Sequence, residues 1–132
     1  MTETTKRYDL EDRTLRFARS VGELVNGLPK TLQNVEYCKQ LVRSSGSVGA
    51  NYIEANESLG KKDFLMRIKI CRKESKESRY WLELISCKDE EKGERDKLIQ
   101  ESTELMKIFG AILEKVKQRE GTGKSETPNS KS

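Results

Sequence analysis

The sequence predicts an all-α protein, an antiparallel up-down-up-down four-helix bundle. Three observations predict it. The chain has 132 residues, of which 33% are apolar and 36% charged, with only two prolines. That balance suits amphipathic helices with solvated outer faces around one modest core. Apolar or small residues recur at alternating spacings of three and four through four stretches. The breaks between those stretches are a few residues long, which makes neighbouring helices antiparallel.

The first helix is expected over about residues 9–25, where Leu10, Thr14, Phe17, Val21, Leu24 and Leu28 hold one face inward. Asp9 or Asp12 can cap its start. Asn26-Gly27 and Pro29 break the pattern. A second helix begins near Asn34, with Cys38, Leu41, Val42, Ser45, Val48, Gly49, Tyr52, Asn56 and Leu59 as its inner stripe. Its middle is unusual. LVRSSGSVGANYIEANES, residues 41–58, carries two glycines and four serines, although glycine costs a helix interior about 1 kcal/mol relative to alanine. Either Ser45 and Gly49 admit a neighbouring helix closely, or the chain kinks at Ser44-Ser45-Gly46.

Gly60 reads as a helix C-terminus. The third helix then spans about 62–85 on a stripe of Phe64, Ile68, Cys71, Ser75, Ser78, Leu82 and Ile85. A fourth runs over about 91–117 with Leu98, Ser102, Leu105, Phe109, Ile112 and Val116 inward. The domain plan is therefore a short extension at 1–8, the bundle at 9–117, and a polar, aperiodic tail at 118–132 expected to be disordered.

Several functions are disfavoured by composition. No apolar run is long enough to span a membrane, and the first ten residues lack a signal peptide's apolar stretch, so a cytoplasmic protein is expected. The chain has no histidine and three cysteines, Cys38, Cys71 and Cys87, without CxxC spacing. Neither a metal nor a cofactor is expected, and the thiols read as buried structural residues. There is no GxSxG, P-loop or GxGxxG. No catalytic residue is assigned.

The charge distribution is more informative. Between Lys61 and Arg79 stand eight basic residues and three acids, a net +5 in a chain whose total is +4. Placed at about 100° intervals, Lys62, Lys69, Arg72, Lys73, Lys76 and Arg79 form one arc, with Asp63, Glu74 and Glu77 on the opposite flank. Such an arc is what a phosphate backbone binds, and it is also what a solvated helix face looks like. The acidic flank holds Met66, Ile70 and Trp81, off the Phe64 stripe, which suits a subunit interface or a broad core. A polar set, Arg43, Asn51, Glu54, Asp63 and Glu77, pairs carboxylates with an arginine. Ion pairs between helices or subunits explain it without catalysis; a hydrolase would need Glu54, Asp63 and Glu77 to converge on a metal.

Gln40 to Phe64, QLVRSSGSVGANYIEANESLGKKDF, resembles the signature of the 23S rRNA intervening-sequence proteins, QLRRAA-x-SIP-x-NIAEG followed by DF. Gln40, Arg43, Ser47, Asn51, Glu54, Asp63, Phe64, Arg72 and Glu77 carry the likeness. Gly49 stands in place of the family's proline, Ala55 in place of its glycine, and Lys73-Glu74 in place of a Gly-Ser pair. The resemblance implies a left-handed four-helix bundle and a homo-oligomeric ring, usually a pentamer. A distant relative, the accessory subunit of diversity-generating retroelement reverse transcriptases, implies contact with nucleic acid. Two functions follow as expectations: a non-enzymatic oligomer binding RNA or DNA through the basic arc, or a structural adaptor for a protein partner.

Overall fold

The computed structural model describes the backbone of residues 3–123 and the side chains of residues 10–119. Four helices follow one another: α1 (Glu3–Asn26), α2 (Leu32–Asn56), α3 (Lys61–Leu84) and α4 (Asp89–Gly123). Each packs on its neighbours in chain order, and α1 closes on α4. The contacts descend along one helix as they ascend the next. Glu11 meets Asn56 and Thr14 meets Gly49; Arg43 meets Glu77 and Asn51 meets Arg67; Arg72 meets Gly110 and Arg79 meets Thr103. All three hairpins are thus antiparallel.

The core follows the predicted stripes. Leu10, Phe17, Val21, Leu24, Leu28, Leu41, Val48, Tyr52, Ile68, Cys71, Leu82, Ile85, Leu98, Leu105 and Phe109 are buried. Small polar residues share that interior. Thr14, Ser44, Ser45, Ser75, Ser78 and Ser102 are buried as well, and their hydroxyls are satisfied locally. Ser75 donates to Cys71 O and Ser78 to Glu74 O, while Ser44 and Ser78 join across the α2–α3 contact at 2.9 Å.

The helix ends differ from the sequence expectation. α1 starts at Glu3, within the stretch read as an extension, because residues 3–8 contain neither glycine nor proline. Asp12 is therefore interior and pairs with Arg16 one turn on, at 2.8 Å; it caps nothing, and Asp9 is also interior. α2 starts at Leu32, capped by Thr31, whose side chain accepts from Asn34 N. It ends at Asn56, so Gly60 becomes the N-cap of α3 instead of a C-terminus. Counting the period past Asn56 is what put Leu59 inside; it is fully exposed. Val42 lies at the edge of its stripe and is 48% exposed. In α4, Leu113 is buried where Ile112 and Val116 are half-buried. Its first turn holds Asp89, Glu90 and Glu91, favourable at a helix N-terminus, and Glu91 accepts from Lys88 N at 2.9 Å. The α4 backbone continues past Lys117 to Gly123, while residues 124–132 of the predicted tail lie outside the described residues.

The glycine-rich middle of α2 is one unbroken helix. At Gly49 a β-carbon would stand 2.9 Å from Thr14 Oγ1 and 3.2 Å from Thr14 Cβ, so close approach to α1 is what this glycine permits. Gly46 faces open space.

One buried side chain fastens two loops. Asn34, 1% exposed, donates from Nδ2 to Pro29 O (2.8 Å) and Ser86 O (2.9 Å), and its Oδ1 accepts from Ser86 N (2.7 Å). It joins the α1–α2 connection to the start of the α3–α4 connection.

Candidate nucleic-acid interface

α3 buries one face and turns the opposite one outward, because Ile68, Cys71, Ser75, Ser78 and Leu82 recur on the inner side. Lys62, Lys69, Arg72, Lys73 and Lys76 are exposed, and Arg79 is half-buried. The arc spans about 25 Å from Lys62 to Arg79 at 1.5 Å per residue. Lys62, Lys69, Arg72 and Lys76 make no ion pair among the described residues. Lys73 reaches Glu74 at 3.8 Å. The two arginines lean toward α4: the Arg79 guanidinium donates to Thr103 Oγ1 at 3.4 Å, and that of Arg72 lies over Gly110, 3.8 Å from where a β-carbon would be. Arg67, counted in the local +5, instead turns to α2 and donates to Asn51 Oδ1 at 2.8 Å.

The opposite flank is not uniformly acidic and exposed. Glu74 is buried, 5% exposed, with Oε1 lacking a hydrogen-bond partner. The helical wheel sets it on the flank opposite the basic arc; there α2 covers it, because Ser44 and Ser78 are small enough to bring the two helices together. Arg43 Nη2 lies 3.9 Å from Glu74 and 3.5 Å from Glu77, so the arginine serves both carboxylates. Of the predicted polar set, Arg43 and Glu77 meet. Asn51 pairs with Arg67 and with Ser47. Glu54 and Asp63 are exposed and make no ion pair among the described residues, and no group of three metal-ligating side chains forms there.

Met66 is 49% exposed, and Ile70 and Trp81 are half-buried. Trp81 packs on the core margin between Tyr37 and Tyr80, at ring distances of 6.0 and 5.0 Å. Tyr80 (56%) and Leu84 (38%) add further exposed apolar surface. Their signal was a run of threes and fours from Met66 through Ile70, Lys73 and Glu77, which enters the basic arc at Lys73 and Tyr80.

Burial favours the neutral form of all three thiols. Burial pushes Cys71 up to about 12, and its Sγ donates to Val48 O at 3.4 Å. Desolvation also raises Cys38 and Cys87, which are half-buried. An open apolar groove of about 500 Å³ lies between α1 and α2, lined by Val25, Leu28, Pro29, Val35, Cys38 and Val42. Its polar lining is already engaged: Asn34 is committed to the loops, Lys30 donates to Asn26 O at 3.4 Å, and Lys39 pairs with Glu36 at 3.5 Å. No helix among the described residues is long and apolar enough to cross a membrane.

Fold and surface together define a class: a small antiparallel four-helix bundle whose net positive charge is concentrated on one helix. More particularly, the family described as 23S rRNA-intervening sequence protein matches residues 6–111, and the chain belongs to that family. It is also similar to a solved structure from Bacteroides thetaiotaomicron VPI-5482, a protein with unknown function from the S23 ribosomal protein family. The two are 30% identical, with a TM-score of 0.71, over 83% of this chain and 98% of the other. No curated protein matches the sequence.

Proposed function

We propose that this chain is a non-enzymatic, homo-oligomeric bundle that binds the phosphate backbone of RNA or DNA along α3, with the ring of five implied by the family resemblance as its assembly. The observation that carries this reading is the set Lys69, Arg72 and Lys76: three exposed cations on one helix with no carboxylate within ion-pair distance among the described residues. Cations placed in that way release counterions when they meet phosphate. Several copies in one assembly would multiply weak contacts through avidity.

The test is binding of labelled RNA and duplex DNA across a salt series. Lys69→Gln with Lys76→Gln should weaken binding to every sequence and flatten the dependence of log K on log salt. The expected change is about 0.9 per lost duplex contact, or about 0.7 for a single strand. Circular dichroism should be unchanged, since both side chains are exposed. An absence of complex at micromolar protein and physiological salt would overturn this reading and leave the adaptor for a protein partner.

A further inference from the structure

We propose that, within the homo-oligomer, the outer stripe of α2 packs against the outer stripe of α3 from a second copy of the chain. The inference rests on the homo-oligomeric reading above and identifies the contact that builds it.

Both stripes face solvent. On α2 and its C-cap, Gly46, Ala50, Ile53 and Glu57 are exposed at spacings of four, three and four, and residues 44–53 carry no charge. On α3, Lys62, Met66, Ile70 and Lys73 recur similarly. Ile53 is 50% and Met66 49% exposed, large apolar surface for two such positions.

The register follows from the chain itself. Arg43 meets Glu77, Val48 meets Cys71 and Asn51 meets Arg67, so α2 and α3 residues at one height have numbers that add to 118–120. Rotation about an axis parallel to the bundle preserves height. Consequently α2 of one copy faces α3 of the next in the same register, whatever the number of subunits. That register sets Ile53 against Met66, Ala50 against Ile70 and Glu57 against Lys62 of the second copy. Gly46 lies opposite Lys73, and beyond the helix's own backbone nothing among the described residues lies within 4 Å of the β-carbon position at Gly46, so the aliphatic stem of the lysine can lie on bare backbone.

Charge complementarity identifies the occupant. Neither Glu57 nor Lys62 has an ion-pair partner among the described residues, and the shared register brings one against the other. Apolar residues meet apolar residues at the same time. A second copy supplies all four matches because it carries the same two helices at the same relative height. The contact occupies Lys62 and Lys73 at the edge of the basic arc, leaving Lys69, Arg72 and Lys76 facing out for nucleic acid.

Light-scattering mass decides the matter. The unmodified protein is expected as an oligomer, and Ile53→Asp and Met66→Asp should each lower the mass toward the single chain of 15.2 kDa with helicity retained. Leu15→Asp, at a 52% exposed position on α1, should leave the mass unchanged. Should an aspartate variant unfold, Glu57→Lys carries the test: it should lower the mass, and adding Lys62→Glu to the same chain should restore it. An oligomer whose mass survives these changes, or fails to return with the charge swap, overturns this contact while the homo-oligomeric reading stands. A monomeric unmodified protein overturns both and would leave the stripes to a different protein.

Discussion

Cys71 illustrates how little of a residue's role its type discloses. Its place on the α3 stripe was legible from the period, and its chemistry follows from what surrounds it: a dry contact with α2 and a backbone carbonyl to receive its proton. Burial raises its pKa from 9.0 to about 12. The folded state therefore holds the thiol neutral while the unfolded chain ionises it above pH 9. A raised folded value means stability that is fully present below about pH 9 and lost as pH rises toward about 12. Cys71→Ala lacks this dependence. The stability gap between the parent and Cys71→Ala, measured by urea unfolding at successive pH values, should narrow through that window; a constant gap would show that the thiol is not desolvated. Glu74 was less legible. Its burial depends on which helix lies across from it, and a wheel drawn for one helix holds no information on its neighbour.

At the scale of the helix, period and breakers were enough to find all four elements, because each apolar stripe needs one buried side and Pro29 and the glycines interrupt it. The ends were harder. Thr31 and Gly60 act as caps through backbone geometry that the apolar pattern does not encode, and the inner stripe of α2 was extended one turn too far as a result. The glycines of α2 could be recognised as unusual, while their separate roles required α1. Gly49 touches Thr14, whereas Gly22 on α1 has nothing within 4 Å of a β-carbon. Gly49→Leu should therefore overpack the α1–α2 contact and cost about 1–3 kcal/mol. Gly22→Ala should stabilise by about 0.5–1 kcal/mol through helix propensity. Thermal midpoints moving in opposite directions would establish the contrast; a neutral Gly49→Leu would remove the close-approach account. The basic arc of α3 was also legible, because segregation of charge around a helix is a property of spacing alone. Which cations remain unpaired was not, since Arg67 and Lys73 find partners only in three dimensions.

For the whole molecule, short connections and four amphipathic stretches made the antiparallel bundle readable before any coordinate. Most of its contacts are between helices adjacent in sequence, and such a chain can assemble hairpin by hairpin. Asn34 is different. Its bonds to Ser86 span 52 positions, so they form only after α3 has returned beside the α1–α2 loop. Formation of this closure on the late side of the folding barrier is the expected outcome. Asn34→Ala removes three hydrogen bonds and should cost about 3 kcal/mol at roughly 1 kcal/mol each. Interactions absent from the transition state appear in the unfolding rate. Stopped-flow measurements should find unfolding accelerated on the order of a hundredfold with refolding nearly unchanged, whereas a matching loss in the refolding rate would place this clasp among the first contacts made. With unfolding accelerated in that way, the proteolytic lifetime of the native protein should shorten on removal of Asn34 whenever cleavage outpaces reclosing.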